Sequence, residues 1–203
     1  MYYLSKIIKK LYPAAIKNST VDKSAKVEGG TQFISSSLGR YSFCGYNCTI
    51  VNTTIGDFCS LASEVKIGLA KHPLEWVSTS PAFYYGRDSI KKDLANKACD
   101  LSVERTIIGD DVWIGENVFI KSGVTVGTGA VVGMGSIVTK DIPPYEIWAG
   151  NPAHLIRKRF DDDTIQLLLE SKWWKLTRKE LKQLSNSIDN PQKFIELVSK
   201  IKE

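Results

Sequence analysis

Proton transfer near neutral pH is open to few side chains in this chain of 203 residues, because it holds only two histidines, His72 and His154. His72 opens the stretch HPLEWVSTSPAFYYGRD, which gathers Trp76, Phe83, Tyr84 and Tyr85 with two prolines. An imidazole at the root of such a loop is placed to serve as a general base, since sites sit on loops anchored by scaffolds. The competing reading is an ordinary solvent-exposed loop histidine. His154 follows Asn151-Pro152 in a basic stretch, where surface packing is the simpler reading. The four cysteines, Cys44, Cys48, Cys59 and Cys99, lack paired CxxC spacing, so no zinc or other metal is expected and reduced thiols fit a cytoplasmic location.

The element that must carry His72 is legible from a period of six. Ile108 to Pro143 reads IGDDVW, IGENVF, IKSGVT, VGTGAV, VGMGSI, VTKDIP. The first position is always Ile or Val (Ile108, Ile114, Ile120, Val126, Val132, Val138), the second is mostly Gly (Gly109, Gly115, Gly127, Gly133), and the fifth is small or branched, ending at Ile142. Such a period fits neither an amphipathic helix nor an alternating strand and is a signature of a parallel β-helix. Each hexapeptide supplies a short strand and a corner of a three-sided prism. The first residue points inward and stacks about 4.8 Å below its equivalent, and the second-position Gly is expected to supply positive φ at the corner.

A rougher copy precedes it, with Val21, Val27, Phe33, Leu38, Cys44, Ile50, Ile55, Leu61 and Ile67 at the first position and two steps of five residues instead of six. The pattern predicts about three coils here and two in the later stretch. It also turns Cys44, Cys48 and Cys59 inward as small hydrophobes. A β-helix domain is therefore expected over 21–160, with a loop insertion at about 69–106, a cap segment over 1–20 and a helical extension over 161–203.

In the extension, Asp161–Asp163 precede Ile165, Leu168, Leu169 and the Trp173-Trp174 pair; Thr177 to Glu180 reads as a capping box; and Asn190-Pro191 opens a helix with Phe194, Ile195, Val198 and Ile201 on one face. These helices are expected on an end or flank of the prism and against a neighbouring subunit. At the N-terminus, Leu4, Ile7, Ile8 and Leu11 form a helical stripe, read either as a cap on the first coil or as peripheral membrane contact.

Composition removes several function classes. A net charge of +5 with no base-stacking pattern is no nucleic-acid signature, and no apolar run approaches a membrane span. The N-terminus is not a signal peptide. Prism folds host γ-type carbonic anhydrases, which need three His ligands, and two histidines in this chain cannot supply that pattern.

With these residues assembled, the chain resembles the left-handed β-helix hexapeptide acyltransferases, closest to the xenobiotic acetyltransferase and saccharide O-acetyltransferase branch. IGDFCSLASEVKIGLAKHPLEWVSTSPAFY is similar to that branch's run into its loop histidine. The solenoid from IIGDDVW to the exit GNPAHLIRKRF, and IQLLLESKWW, are similar to its body and C-terminal helix. The resemblance implies a mainly β, left-handed fold, a homotrimer, and an acetyl-CoA groove between prisms. It implies that His72 is the base for direct acyl transfer, without a cysteine nucleophile.

It further implies that Glu75 orients the imidazole, or is merely a solvated charge. Trp76, Tyr84 and Tyr85 would form an acceptor platform, or simply hold the loop down. Trp113 would wall the site or pack between subunits. Gly133, Gly135 and Ser136 would line the pantetheine channel, with Thr139, Lys140 and the Gly150-Asn151-Pro152 turn near the adenine. Arg157, Lys158 and Arg159 would meet phosphates, at least one of them being structural.

The expected activity is O-acetylation of a saccharide hydroxyl in bacterial surface polysaccharide, the alternative an antibiotic of the chloramphenicol or streptogramin kind, and a distant third a non-catalytic scaffold. Lys71 before His72, and Glu75 in place of the usual Asp, depart from the branch pattern.

Overall fold

The computed structural model describes residues 11–86, 90–91, 93–102 and 104–202. Leu4, Ile7 and Ile8 of the N-terminal stripe lie outside the described residues. The chain is mainly β and winds as a parallel β-helix, its strands sorting into three sheets of six, five and seven strands. The lowest strand, Ala15–Lys17, pairs with Gln32–Ile34 and starts the first face ahead of Val21.

Inward positions stack in register over the whole height. On the first face Phe33, Ile50, Ile67, Ile120 and Val138 form one column. Val21, Leu38, Ile55, Ile108 and Val126 form the second. Val27, Cys44, Leu61, Ile114 and Val132 form the third. Nearly all are sealed from solvent in one continuous core. Each such side chain contributes about 1.5–3 kcal/mol of apolar burial.

Small polar residues at fifth positions knit successive coils. Thr31 Oγ1 donates to the Gly45 carbonyl and accepts from the Cys48 N–H, and Ser42 does the same between Gly56 and Cys59. Cys44, Cys48 and Cys59 are buried as expected. Cys59 donates to the Gly109 carbonyl, and burial pushes its thiol up to about 12, which removes it as a nucleophile.

Two readings of the corners need correction. The left-handed conformation belongs to the fourth position, not the second: Asp111 (φ 55°), Asn117 (φ 57°) and Gly135 (φ 69°) take it. Second-position glycines are required by close approach instead, since a Cβ on Gly115 would lie 2.6 Å from the Met134 nitrogen of the next coil. The sixth repeat is also cut short. Ile142 bridges Val126 and Trp148 pairs with Val132, so the frame restarts four residues after Val138 as IPPYEI.

The third face ends in a hairpin. Glu146–Gly150 runs parallel to the stack and Ala153–Lys158 returns antiparallel along it. The helices α1 (Asp162–Ser171), α2 (Arg178–Leu184) and α3 (Pro191–Lys202) follow. Asp161 caps α1 and the expected capping box at Thr177 and Glu180 is formed.

They pack on a flank of the prism, against the corner between the second and third faces. There the fourth-position Tyr41 and Phe58 stack at 5.1 Å, and Phe58 meets Trp173 at 5.0 Å. Arg40 bonds Asp57 and the carbonyls of Trp174 and Leu176, while Lys175 bridges Asp57 and Asp110.

Candidate functional site

The excursion carrying His72 leaves the first face after Gly68 and rejoins the second at Thr106, so it springs from the corner between them. Both roots are pinned. Ser122 donates to the Leu69 carbonyl, and Arg105 spreads its guanidinium over Thr54 Oγ1 (2.6 Å), the Ser35 carbonyl (3.0 Å) and the Thr53 carbonyl (3.2 Å). Within the loop, Ser80 caps a short 3-10 turn at Pro81–Phe83, and Tyr84–Tyr85 pairs parallel with Lys97–Ala98.

The imidazole is oriented by the loop itself. His72 Nδ1 lies 2.9 Å from the Thr79 carbonyl oxygen and 3.2 Å from the Tyr84 hydroxyl. A carbonyl can only accept, so Nδ1 bears the proton in that contact and Nε2 carries the basic lone pair. Tyr84 is fully buried and meets Trp76 edge-on at 5.9 Å. It is therefore no acceptor platform; it supports the imidazole from below. Glu75 is exposed, and no hydrogen bond among the described residues joins it to His72. The backbone of Thr79 occupies the orienting position, a role that no residue-type pattern announces.

Trp76 is partly buried and lines a shallow cavity with Glu75 and Phe83, while Tyr85 is half exposed with its hydroxyl on the Ala95 carbonyl. Trp113 stands outward on the third face, 53% exposed. A separate depression runs from the loop root along the first face, lined by Leu69, Ala70, Lys71, Phe119, Lys121 and Thr139. Lys140 follows at its rim, exposed.

Gly133, Gly135 and the Gly150-Asn151 turn gather at the corner between the third and first faces. Ser136 is wholly buried there, donating to the Gly133 carbonyl and accepting from the Gly150 N–H. Its side chain fixes this corner from inside and lines no channel. Gly135, by contrast, faces open space: a Cβ there would meet nothing within 4 Å.

Arg157 and Lys158 pair with Ile147 and Glu146, at the opposite end of the hairpin from Asn151. Arg157 is exposed with no carboxylate partner among the described residues, while Lys158 is paired with Asp162. Arg159 is the structural member of the three. It bonds Asp111 and the Gly129 carbonyl and lies over Tyr145 and Phe160.

One chain thus holds the imidazole at one corner and the open glycine corner at another, with the first face between them. Among the described residues no cluster of His, Cys, Asp and Glu could hold a metal ion. No helix among them is long and apolar enough to cross a membrane.

Comparison with known proteins agrees with this architecture. Residues 105–140 match the family described as the hexapeptide repeat of succinyl-transferase. The chain is 48% identical to a chloramphenicol acetyltransferase of Agrobacterium fabrum over 131 residues, 63% of this chain and 62% of that one. It is 36% identical to a probable macrolide acetyltransferase of Lysinibacillus sphaericus, over 63% of this chain and 71% of the relative. It is also 36% identical to the galactoside O-acetyltransferase of Escherichia coli, over 71% and 66%. The chain spans about three-fifths of the length of the chloramphenicol acetyltransferases it matches. A repeating prism, an interrupting histidine loop and relatives that are themselves acetyltransferases lead to one placement: the chain belongs to the hexapeptide-repeat acyltransferase family.

Proposed function

We propose that this protein moves an acetyl group from acetyl-CoA to a hydroxyl of its acceptor, with His72 as general base. The observation that carries the reading is the Thr79 carbonyl on His72 Nδ1, which leaves Nε2 to take the hydroxyl proton as the oxygen attacks the thioester carbonyl. The carbon–sulfur bond then breaks, and the imidazolium returns the proton to the departing sulfur. Cysteine takes no part. The residues fit such a donor: Gly135 leaves room for a narrow arm, Thr139 and Lys71 share the groove on the first face, and Arg157, whose Nη1 donates to the Lys158 carbonyl, has further N–H groups for phosphate oxygens.

The placement of the imidazole and the glycine turn at different corners of the prism supports a homotrimer in which one prism's loop faces the neighbour's groove. A cytoplasmic location completes this reading.

For the acceptor we favour a saccharide hydroxyl of a bacterial surface polysaccharide, on which the exposed ring of Tyr85 and the partly buried Trp76 offer apolar faces; the galactoside-acetylating relative supports it. A second reading, an antibiotic hydroxyl, is favoured by the names of the chloramphenicol and macrolide relatives. Thiol release from acetyl-CoA, measured with galactosides, chloramphenicol and streptogramin A, distinguishes them. His72→Ala is expected to lose about 10²–10⁴-fold in turnover with its thermal melting unchanged. Equal rates in both proteins would overturn the base assignment, and no turnover with any acceptor would favour a scaffold.

A further inference from the structure

Gly68 turns the chain off the first face: its φ is 76°, and a Cβ there would lie 1.9 Å from the Val51 carbonyl oxygen. Its N–H still bonds the Ile120 carbonyl. From there to His72 the backbone runs through Leu69, Ala70 and Lys71, all exposed, so packing does little to fix this arm. Among the described residues one hydrogen bond holds it, from the Ser122 hydroxyl to the Leu69 carbonyl.

Ser122 sits in the turn between Phe119–Ile120 and Thr125–Val126. These strands pair directly with the two that flank the loop, Lys66–Ile67 and Thr106–Ile108, so the turn lies over the gap from which the loop springs. The next residue, Gly123, holds the other root. Its N–H donates to Oγ1 of the wholly buried Thr106 at 3.1 Å, and a Cβ on it would come within 3.1 Å of the Glu104 side chain. Two adjacent residues of one coil thus clasp both ends of the loop thrown out by the coil before it.

We propose that Ser122 is a positioning residue for His72. Its hydroxyl sets the arm so that the imidazole meets the Thr79 carbonyl through Nδ1 and keeps the Nε2 lone pair for the acceptor hydroxyl. The role in turnover rests on His72 being the base, and a misplacement of about 1 Å at such a group can cost on the order of 10²-fold in rate.

The test joins turnover to a readout that needs none. Imidazole nitrogen shifts of His72 in the ¹⁵N-labelled full chain, at a pH where the ring is neutral, report which nitrogen bears the proton. The Nδ1–H form is expected to predominate in the wild type. Ser122→Ala should move the ratio toward that of a free imidazole and lower kcat about five- to twentyfold, with the KM for acetyl-CoA changed by less than about twofold. Ser122→Thr, which keeps the hydroxyl, should restore both. A purely structural role would lower the melting temperature and leave the ratio alone. The proposal is overturned by a ratio that Ser122→Ala does not move, by one that Ser122→Thr does not restore, or by an Nε2–H form in the wild type. Equal turnover in His72→Ala and the wild type would instead remove the base assignment, and the ratio would still decide what Ser122 holds.

Discussion

A tautomer is the smallest unit on which this site depends. Tyr84 holds His72 through its hydroxyl, so Tyr84→Phe should lower turnover by about three- to tenfold and move the pH profile, whereas a purely packing role would leave that profile in place. Tyr145 permits a second test. Burial, reinforced by the nearby Asp111 charge, pushes its phenol up to about 12 from an ordinary value near 10. The folded state therefore keeps this proton longer than the unfolded chain does. The stability it lends is fully present below pH 10 and is lost as pH climbs toward 12, at up to about 1.4 kcal/mol per pH unit. Urea denaturation at pH 9 and pH 11 should show that loss in the wild type, and Tyr145→Phe should lack this component of it.

At the scale of elements, the repeats follow a division of labour between positions. Gly115→Ala forces a Cβ into the next coil and should cost about 1–3 kcal/mol, while Asn117→Gly, two residues on and already left-handed, should stay within about 0.5 kcal/mol. Chemical denaturation of both variants separates close approach from backbone freedom. The helices answer to a different residue: Arg40→Met removes the ties to Asp57, Trp174 and Leu176 and should cost about 2–3 kcal/mol, with faster proteolysis C-terminal to Phe160.

The inward columns were readable because a six-residue period places one aliphatic side chain per strand, and even the five-residue steps at Leu38 and Ile55 kept their register. The early restart at Ile142 was not readable, because Ile142 fits both a fifth and a first position and only pairing with Val126 decides between them. His72 stood out as a rare residue type, but its orienting group did not, since a backbone carbonyl leaves no mark on composition. Tyr84 and Tyr85 are neighbours in a strand, and which of the two turns inward depends on pairing with Lys97–Ala98 across a loop with no period to follow.

Considered as one body, the prism carries its imidazole at one corner and its glycine turn at another, and the proposed function joins the two by assembly. Sedimentation at micromolar concentration should report a trimer, and substitutions that dissociate it should abolish turnover while leaving the monomer folded. The antiparallel return at Ala153–Lys158 has an effect on growth. Ala153–Lys158 takes the edge of the third face, where the next rung of the stack would pair, and its outer rim carries Arg157 and Lys158, charges that discourage further pairing there. Length is then negotiable only in the middle. Duplicating residues 108–125 should insert one more storey, lifting the hairpin by about 4.8 Å while both termini keep their present neighbours.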